Sequence, residues 1–171
     1  MKNLYIILTI TAMFGCSSNN LTYFSYSPDF KVVISTNDLI SAKIYSSDGV
    51  SIKFSDNSSL SGLLITKDID GLSSNFNIHD YPKYILGVKK LEGLSRKETD
   101  LFANSLDEIK YTYHNQAVNR FAGNSKEIYI LCSDNLCLSF IVKLKNKEQI
   151  LMLSSTNVSQ QKFTKIVKGI K

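Results

Sequence analysis

From Leu21 onward, apolar and polar residues alternate in short runs separated by turn signals, the pattern of half-buried β-strands. Leu21–Tyr26 and Phe30–Ile34 flank Pro28-Asp29, and Ala42–Ser46 and Val50–Phe54 flank Ser47-Asp48-Gly49. Within the last of these runs, Val50, Ile52 and Phe54 alternate with Ser51 and Lys53, which predicts one buried and one wet face. Asp56-Asn57-Ser58-Ser59 makes another turn before Leu60–Thr66. Asp68 to Asp80 is polar and irregular and predicts a surface loop. Tyr84–Val88 predicts a further strand, with Tyr81-Pro82 placing it at an edge or where a loop runs in.

The period then changes. Ser95-Arg96-Lys97-Glu98 has capping-box form, and Phe102, Leu106 and Ile109 follow at helical spacing, so a helix is predicted from Ser95 to about Ile109. Tyr111 to Asn124 fits two readings: Tyr111 and Tyr113 alternate like a strand, while Ala117, Val118 and Phe121 suit a helical turn. Ile128–Val142 reads as two apolar strands around Asp134-Asn135, with Leu138, Phe140, Val142 and Leu144 as the stronger apolar face. Lys145-Asn146-Lys147 turns into an apolar strand, Gln149–Ser154. The last segment has Ser159 as N-cap and Val158 and Phe163 placed for a hydrophobic staple. Its stripe of Phe163, Ile166, Val167 and Ile170 is expected to lie on the sheet, with Lys165, Lys168 and Lys171 favouring the helix C-terminus. The fold class expected is α+β: a mainly antiparallel sheet with a central helix and a C-terminal amphipathic helix packed on it.

Before Leu21 the pattern is of another kind. Lys2 precedes an apolar run from Leu4 to Ala12, too short for the roughly 20 residues a bilayer span needs, so it reads as an export signal. Cys16 follows Gly15 where such a signal is cut. This resembles the lipobox of bacterial lipoproteins, matching at Gly15 and Cys16 and departing at Met13 and Phe14. The resemblance implies cleavage before Cys16, a thioether-linked diacylglycerol there and usually a third acyl chain on its amine. More than one chain is what stable anchoring requires. Ser17 stands where an Asp would retain the protein at the inner membrane, so in a host with two membranes the resemblance implies the periplasmic face of the outer membrane. The organisation expected is a signal at 1–15, an acylated cysteine and tether at 16–20, and one domain at 21–171.

Removing 15 of 171 residues leaves 156, enough for one core-forming domain. Losing Lys2 takes Lys plus Arg from 20 to 19 against 15 acids, about +4, dispersed except for Lys143, Lys145 and Lys147 and the final lysines. That balance suits a solvated surface, with anionic headgroups or an acidic partner as the minority readings. No nucleic-acid motif occurs. With Cys16 acylated, Cys132 and Cys137 remain as an even pair that an oxidising periplasm would join. A two-residue turn at Asp134-Asn135 puts them opposite one another in a non-hydrogen-bonded pair. A redox or metal pair is disfavoured, because four residues intervene and no His lies near in sequence.

Candidate chemistry is sparse. His79, next to Asp80, and His114 are the two histidines, and Asp68, Asp70 and Asp80 lack EF-hand spacing. No GxSxG, HExxH, P-loop or GxGxxG motif occurs. No catalytic residue, cofactor or metal site is therefore expected. Two aromatic clusters, Tyr23, Phe24 and Tyr26, then Tyr81, Tyr84, Tyr111 and Tyr113, are the candidate contact surfaces. Over roughly Tyr23 to Ile170 the element order resembles that of PsbP-like domains found in some small bacterial lipoproteins, which implies binding or assembly more than catalysis and transfers no site residue. The expected role is non-catalytic binding of a partner protein, as an envelope accessory factor or an immunity protein against a periplasmic toxin. The alternatives are a small-molecule or lipid carrier with a cavity between sheet and helices, and a hydrolase built on His79 or His114.

Overall fold

A computed structural model describes residues 20–46 and 49–171. The signal, Cys16, most of the tether and the turn residues Ser47 and Asp48 lie outside the described residues. Strands β1 (Leu21–Ser27) and β2 (Phe30–Ser35) form an antiparallel hairpin of their own. The other strands are β3 (Lys43–Ser46), β4 (Val50–Lys53), β5 (Ser59–Thr66), β6 (Asn119–Ala122), β7 (Lys126–Ser133), β8 (Leu136–Lys143) and β9 (Gln149–Thr156). They make one antiparallel sheet in the order β3-β4-β5-β9-β8-β7-β6. Helices α1 (Tyr81–Ile85) and α2 (Arg96–Thr112) lie between β5 and β6 in sequence, and α3 (Gln160–Lys168) follows β9. The expected α+β class, antiparallel sheet and packed C-terminal helix are all present.

The sheet is buried on both faces at its centre. On one face Ile52, Leu60, Ile130, Ile141, Leu151 and Leu153 share a core with Phe30, Val32 and Ile34 of the hairpin and Phe163, Ile166 and Val167 of α3. On the other, Tyr129, Leu131, Phe140, Val142 and Ile150 share a second core with Tyr81, Tyr84 and Phe102 of α1 and α2. Alternation is therefore lost in β8, where Cys137 through Val142 are all buried. Each fully buried large apolar side chain contributes about 2 kcal/mol. Exposed pairs such as Lys90–Glu92, at 3.7 Å, contribute less than about 1 kcal/mol, so burial decides the fold.

Several local predictions change. Tyr84–Val88 is not a strand: Pro82 sits in the first turn of α1, where its missing N–H costs nothing, and Tyr84 and Ile85 are buried. Asp68 to Asp80 is not wholly a surface loop, since Phe76 and Ile78 are core residues. The ring of Phe76 lies 5.5 Å from that of Phe102, and the ring of Tyr84 lies 5.1 Å from it. Tyr111 ends up inside α2, whereas Phe121 is in β6 rather than a helical turn. Leu144 is exposed, and the opposite side of β8 is buried as deeply as the side it was expected to extend.

The capping box at Ser95 is complete and does a second job. Glu98 accepts the Ser95 N–H at 2.9 Å through one carboxylate oxygen, and through the other accepts the Ser73 N–H at 3.2 Å and hydroxyl at 2.8 Å. The Ser95 backbone hydrogen bond, ahead of the opposing effect of burial, brings the Glu98 carboxyl down to about 2. The same carboxylate thus starts α2 and ties down the loop that supplies Phe76 and Ile78.

The hairpin docks where the sheet has no side chain. Tyr26 lies over Gly62 of β5, and its hydroxyl donates to the Val50 carbonyl at 3.3 Å. Burial raises the Tyr26 phenol to about 12. A Cβ on Gly62 would fall 2.3 Å from the Tyr26 hydroxyl oxygen and 2.4 Å from Cζ. Gly62→Ala is expected to cost about 1–3 kcal/mol, read as a lower urea midpoint, because the buried Tyr26 ring must move off β5. An unchanged midpoint would show that the ring does not rest on that strand. The contribution of Glu98 is full above its ordinary carboxyl range and is lost as pH falls from about 4.5 toward about 2. Glu98→Gln is expected to lower stability at neutral pH by about 2 kcal/mol and to flatten the acid limb of a stability–pH curve.

Candidate functional site

Two concave surfaces stand out, on opposite faces of the large sheet. The first is built from strand register. Tyr45, Ser51, Ser61 and Ser154 are consecutive cross-strand partners on β3, β4, β5 and β9, and the row continues into Leu138 and Leu131. Leu138 and Leu131 lie in the core under α1 and α2, so the row changes from apolar to hydroxyl toward the β3 edge. There Ser51, Ser61, Ser154, Leu63, Met152 and Tyr45 line a shallow pocket of about 220 Å³. Ser51 and Ser61 bond each other through their hydroxyls at 2.9 Å. Tyr45 and Leu63 are exposed at its rim, and Ile44 and Ile40 are exposed close by in sequence. β3 is the edge of the sheet, and all four of its residues are exposed.

The second is a groove of about 680 Å³ where the outer face of the hairpin meets α3. Leu21, Tyr23, Val33 and Ile166 supply apolar surface, and Lys162, Lys165 and Lys171 are basic side chains of its lining. Leu21 is 44% and Tyr23 51% exposed. Asp38 also lines it, paired with Lys162 at 3.1 Å. The Lys171 ammonium lies 5.6 Å from the centroid of the Tyr23 ring. Backbone bonds between Lys31 and Lys171, at 3.0 and 3.1 Å, hold the chain after α3 against β2.

The residues singled out from sequence are distributed differently. Cys132 and Cys137 are joined, with Cα atoms 4.1 Å apart, in the register expected for the hairpin. His79 does not meet a serine: its Nε2 donates to the Asn146 carbonyl. The Asn146 amide donates to Asp29 at 2.7 Å and its side-chain oxygen accepts the N–H groups of Glu148 and Gln149. This network joins the hairpin turn to the β8–β9 turn. His114 is an exposed residue in left-handed conformation (φ 51°) just past α2. Asp80 is occupied by Lys83 at 2.8 Å and Lys89 at 3.0 Å; burial opposes its ionisation, but these two ammonium groups outweigh it and hold the carboxyl below its usual range. Among the described residues no three His, Cys, Asp or Glu side chains converge as a metal site, and no helix is long and apolar enough to cross a membrane.

Of the aromatic clusters, Tyr81, Tyr84 and Tyr113 are buried and Tyr111 is 85% exposed at the end of α2. Phe24 and Tyr26 pack against the first core, which leaves Tyr23 to face the groove. Sequence reasoning missed the hydroxyl row. Its traces are Ser51 on the wet face of β4 and Ser59 and Ser61 at alternate places opening β5, echoed by Ser154 in β9. Comparison with protein-family models gives no match, and comparison with curated proteins gives none.

Two further serines, Ser139 and Ser155, are buried on the other face, and among the described residues their hydroxyls have no hydrogen-bond partner. An unpaired buried hydroxyl carries a desolvation cost with no return. Ser139→Ala and Ser155→Ala are expected to unfold at an equal or higher urea concentration. A loss of more than about 1 kcal/mol would reveal a bond that those hydroxyls make.

Proposed function

We propose that this protein is a lipid-anchored envelope protein, held through Cys16 at the periplasmic face of the outer membrane, whose domain binds a partner protein without catalysis. The role is that of an assembly or accessory factor, or of an immunity protein blocking a periplasmic toxin. The observation that carries the binding role is the half-sheet that α1 and α2 leave uncovered, which ends in β3, an edge strand paired on one side only. An extended partner segment can add to such an edge through main-chain hydrogen bonds, with Tyr45 and Leu63 giving it apolar purchase and the serine row giving polar contacts. The half-sheet pocket, at about 220 Å³, is smaller than the roughly 300–1,000 Å³ of small-molecule sites, so this surface suits a protein segment better than an enclosed ligand. The address rests on Lys2, the Leu4–Ala12 run and Gly15-Cys16.

Intact mass of the envelope fraction is expected to show a chain beginning at Cys16 with acyl groups added, and an unacylated product from Cys16→Ser. In crosslinked envelopes, Leu63→Glu with Tyr45→Glu is expected to weaken partner capture by at least about thirty-fold, the scale of an interface hot spot of about 2 kcal/mol. Capture unaffected by these changes would remove the half-sheet as the binding surface. A toxin gene beside this one would favour immunity; a secretion operon would favour assembly.

A further inference from the structure

We infer that the groove between the hairpin and α3 is a seat for anionic phospholipid headgroups, laying the domain on the bilayer with its uncovered half-sheet turned away. Three observations converge on it. Its side-chain charge is net positive: Lys162, Lys165 and Lys171 face one acidic side chain, Asp38, which Lys162 engages, and among the described residues no ion pair is formed by the Lys165 or Lys171 ammonium. Its apolar lining includes the exposed side chains of Leu21 and Tyr23, and Tyr23 offers a ring with a polar tip, the side-chain type that settles at the boundary between headgroups and acyl chains.

Its position is the third. Leu21 both lines the groove and opens β1, so only four residues separate it from Cys16. Even fully extended, those five residue-to-residue steps reach only about 17 Å. An anchor on Cys16 therefore keeps the groove within that distance of the headgroups. The orientation rests on the proposed anchor, whereas headgroup binding does not. Lysine clusters elsewhere lack this setting: Lys145 and Lys147 flank the β8–β9 turn, and neither lines the groove.

The test uses the chain from residue 16 onward carrying Cys16→Ser, so that neither the apolar Leu4–Ala12 run nor an acyl chain contributes, sedimented with phosphatidylcholine vesicles with and without phosphatidylglycerol. The readout is the ratio of binding on the two. The parent is expected to prefer the anionic vesicles. Lys165→Gln with Lys171→Gln is expected to lower the ratio about thirty-fold, at about five-fold per surface lysine. Lys145→Gln with Lys147→Gln removes the same charge and is expected to lower it only a few-fold. Tyr23→Ser, which leaves the charge alone, is expected to weaken binding to anionic vesicles as well. Equal losses from the two lysine pairs would reduce the effect to net charge and overturn the inference. So would a parent that binds both vesicles alike, including one that binds an acidic peptide instead. The anchor reading fails separately, on an intact wild-type mass without acyl groups at Cys16.

Discussion

The constraint on which the rest of the structure depends is the two-sided burial of β7, β8 and β9. A strand such as β8, with six consecutive buried residues from Cys137 to Val142, cannot leave either face to water. Both faces of the sheet centre must be covered, and the chain does so with different material on each. The hairpin of β1 and β2 and helix α3, from the two ends of the domain, cover one face. The segment between β5 and β6, with α1, α2 and the loop carrying Phe76 and Ile78, covers the other. The residues that close the first layer are tied together directly, through the Lys31–Lys171 backbone pair.

Covering elements hold only if their polar groups are satisfied, and here a few side chains serve whole segments. Glu98 satisfies the start of α2 and fastens Ser73, so one carboxylate fixes a helix and a loop. Asn146 links His79, Asp29 and its own turn, and Gln149 reaches Ser27 at 2.9 Å, so the hairpin turn is held to the end of the sheet by hydrogen bonds as well as by burial. The second covering layer does not reach β3, β4 and the near part of β5. The chain meets that shortfall with serines, whose hydroxyls tolerate water where leucines would not. The uncovered half-sheet is thus the consequence of a cover shorter than the sheet.

The two concave surfaces follow from the same layering and face opposite ways. The groove belongs to the layer made by the chain ends, close to where any N-terminal anchor must attach. The half-sheet belongs to the other face. The two proposed uses, headgroup contact on one side and strand addition on the other, therefore do not compete for the same residues.

The sequence by itself determined the elements whose signals are local. Two N-caps, the helical stripes of α2 and α3, the hairpin turn at Asp134-Asn135 and the Cys132–Cys137 pairing were all legible, because each depends on residues within a few positions of one another. Tyr84–Val88 and the core role of Phe76 were not, because a short apolar run between polar residues looks the same in an edge strand, a five-residue helix or a loop. Neither candidate surface was legible either. The hydroxyl row is assembled from β3, β4, β5 and β9, and the groove from β1, β2 and α3, segments more than 100 residues apart in the chain. Which side chains share a surface is set by strand order and by how far the covering helices extend, and only the tertiary structure decides those, because burial is a property of what lies across from a residue and not of the residues beside it.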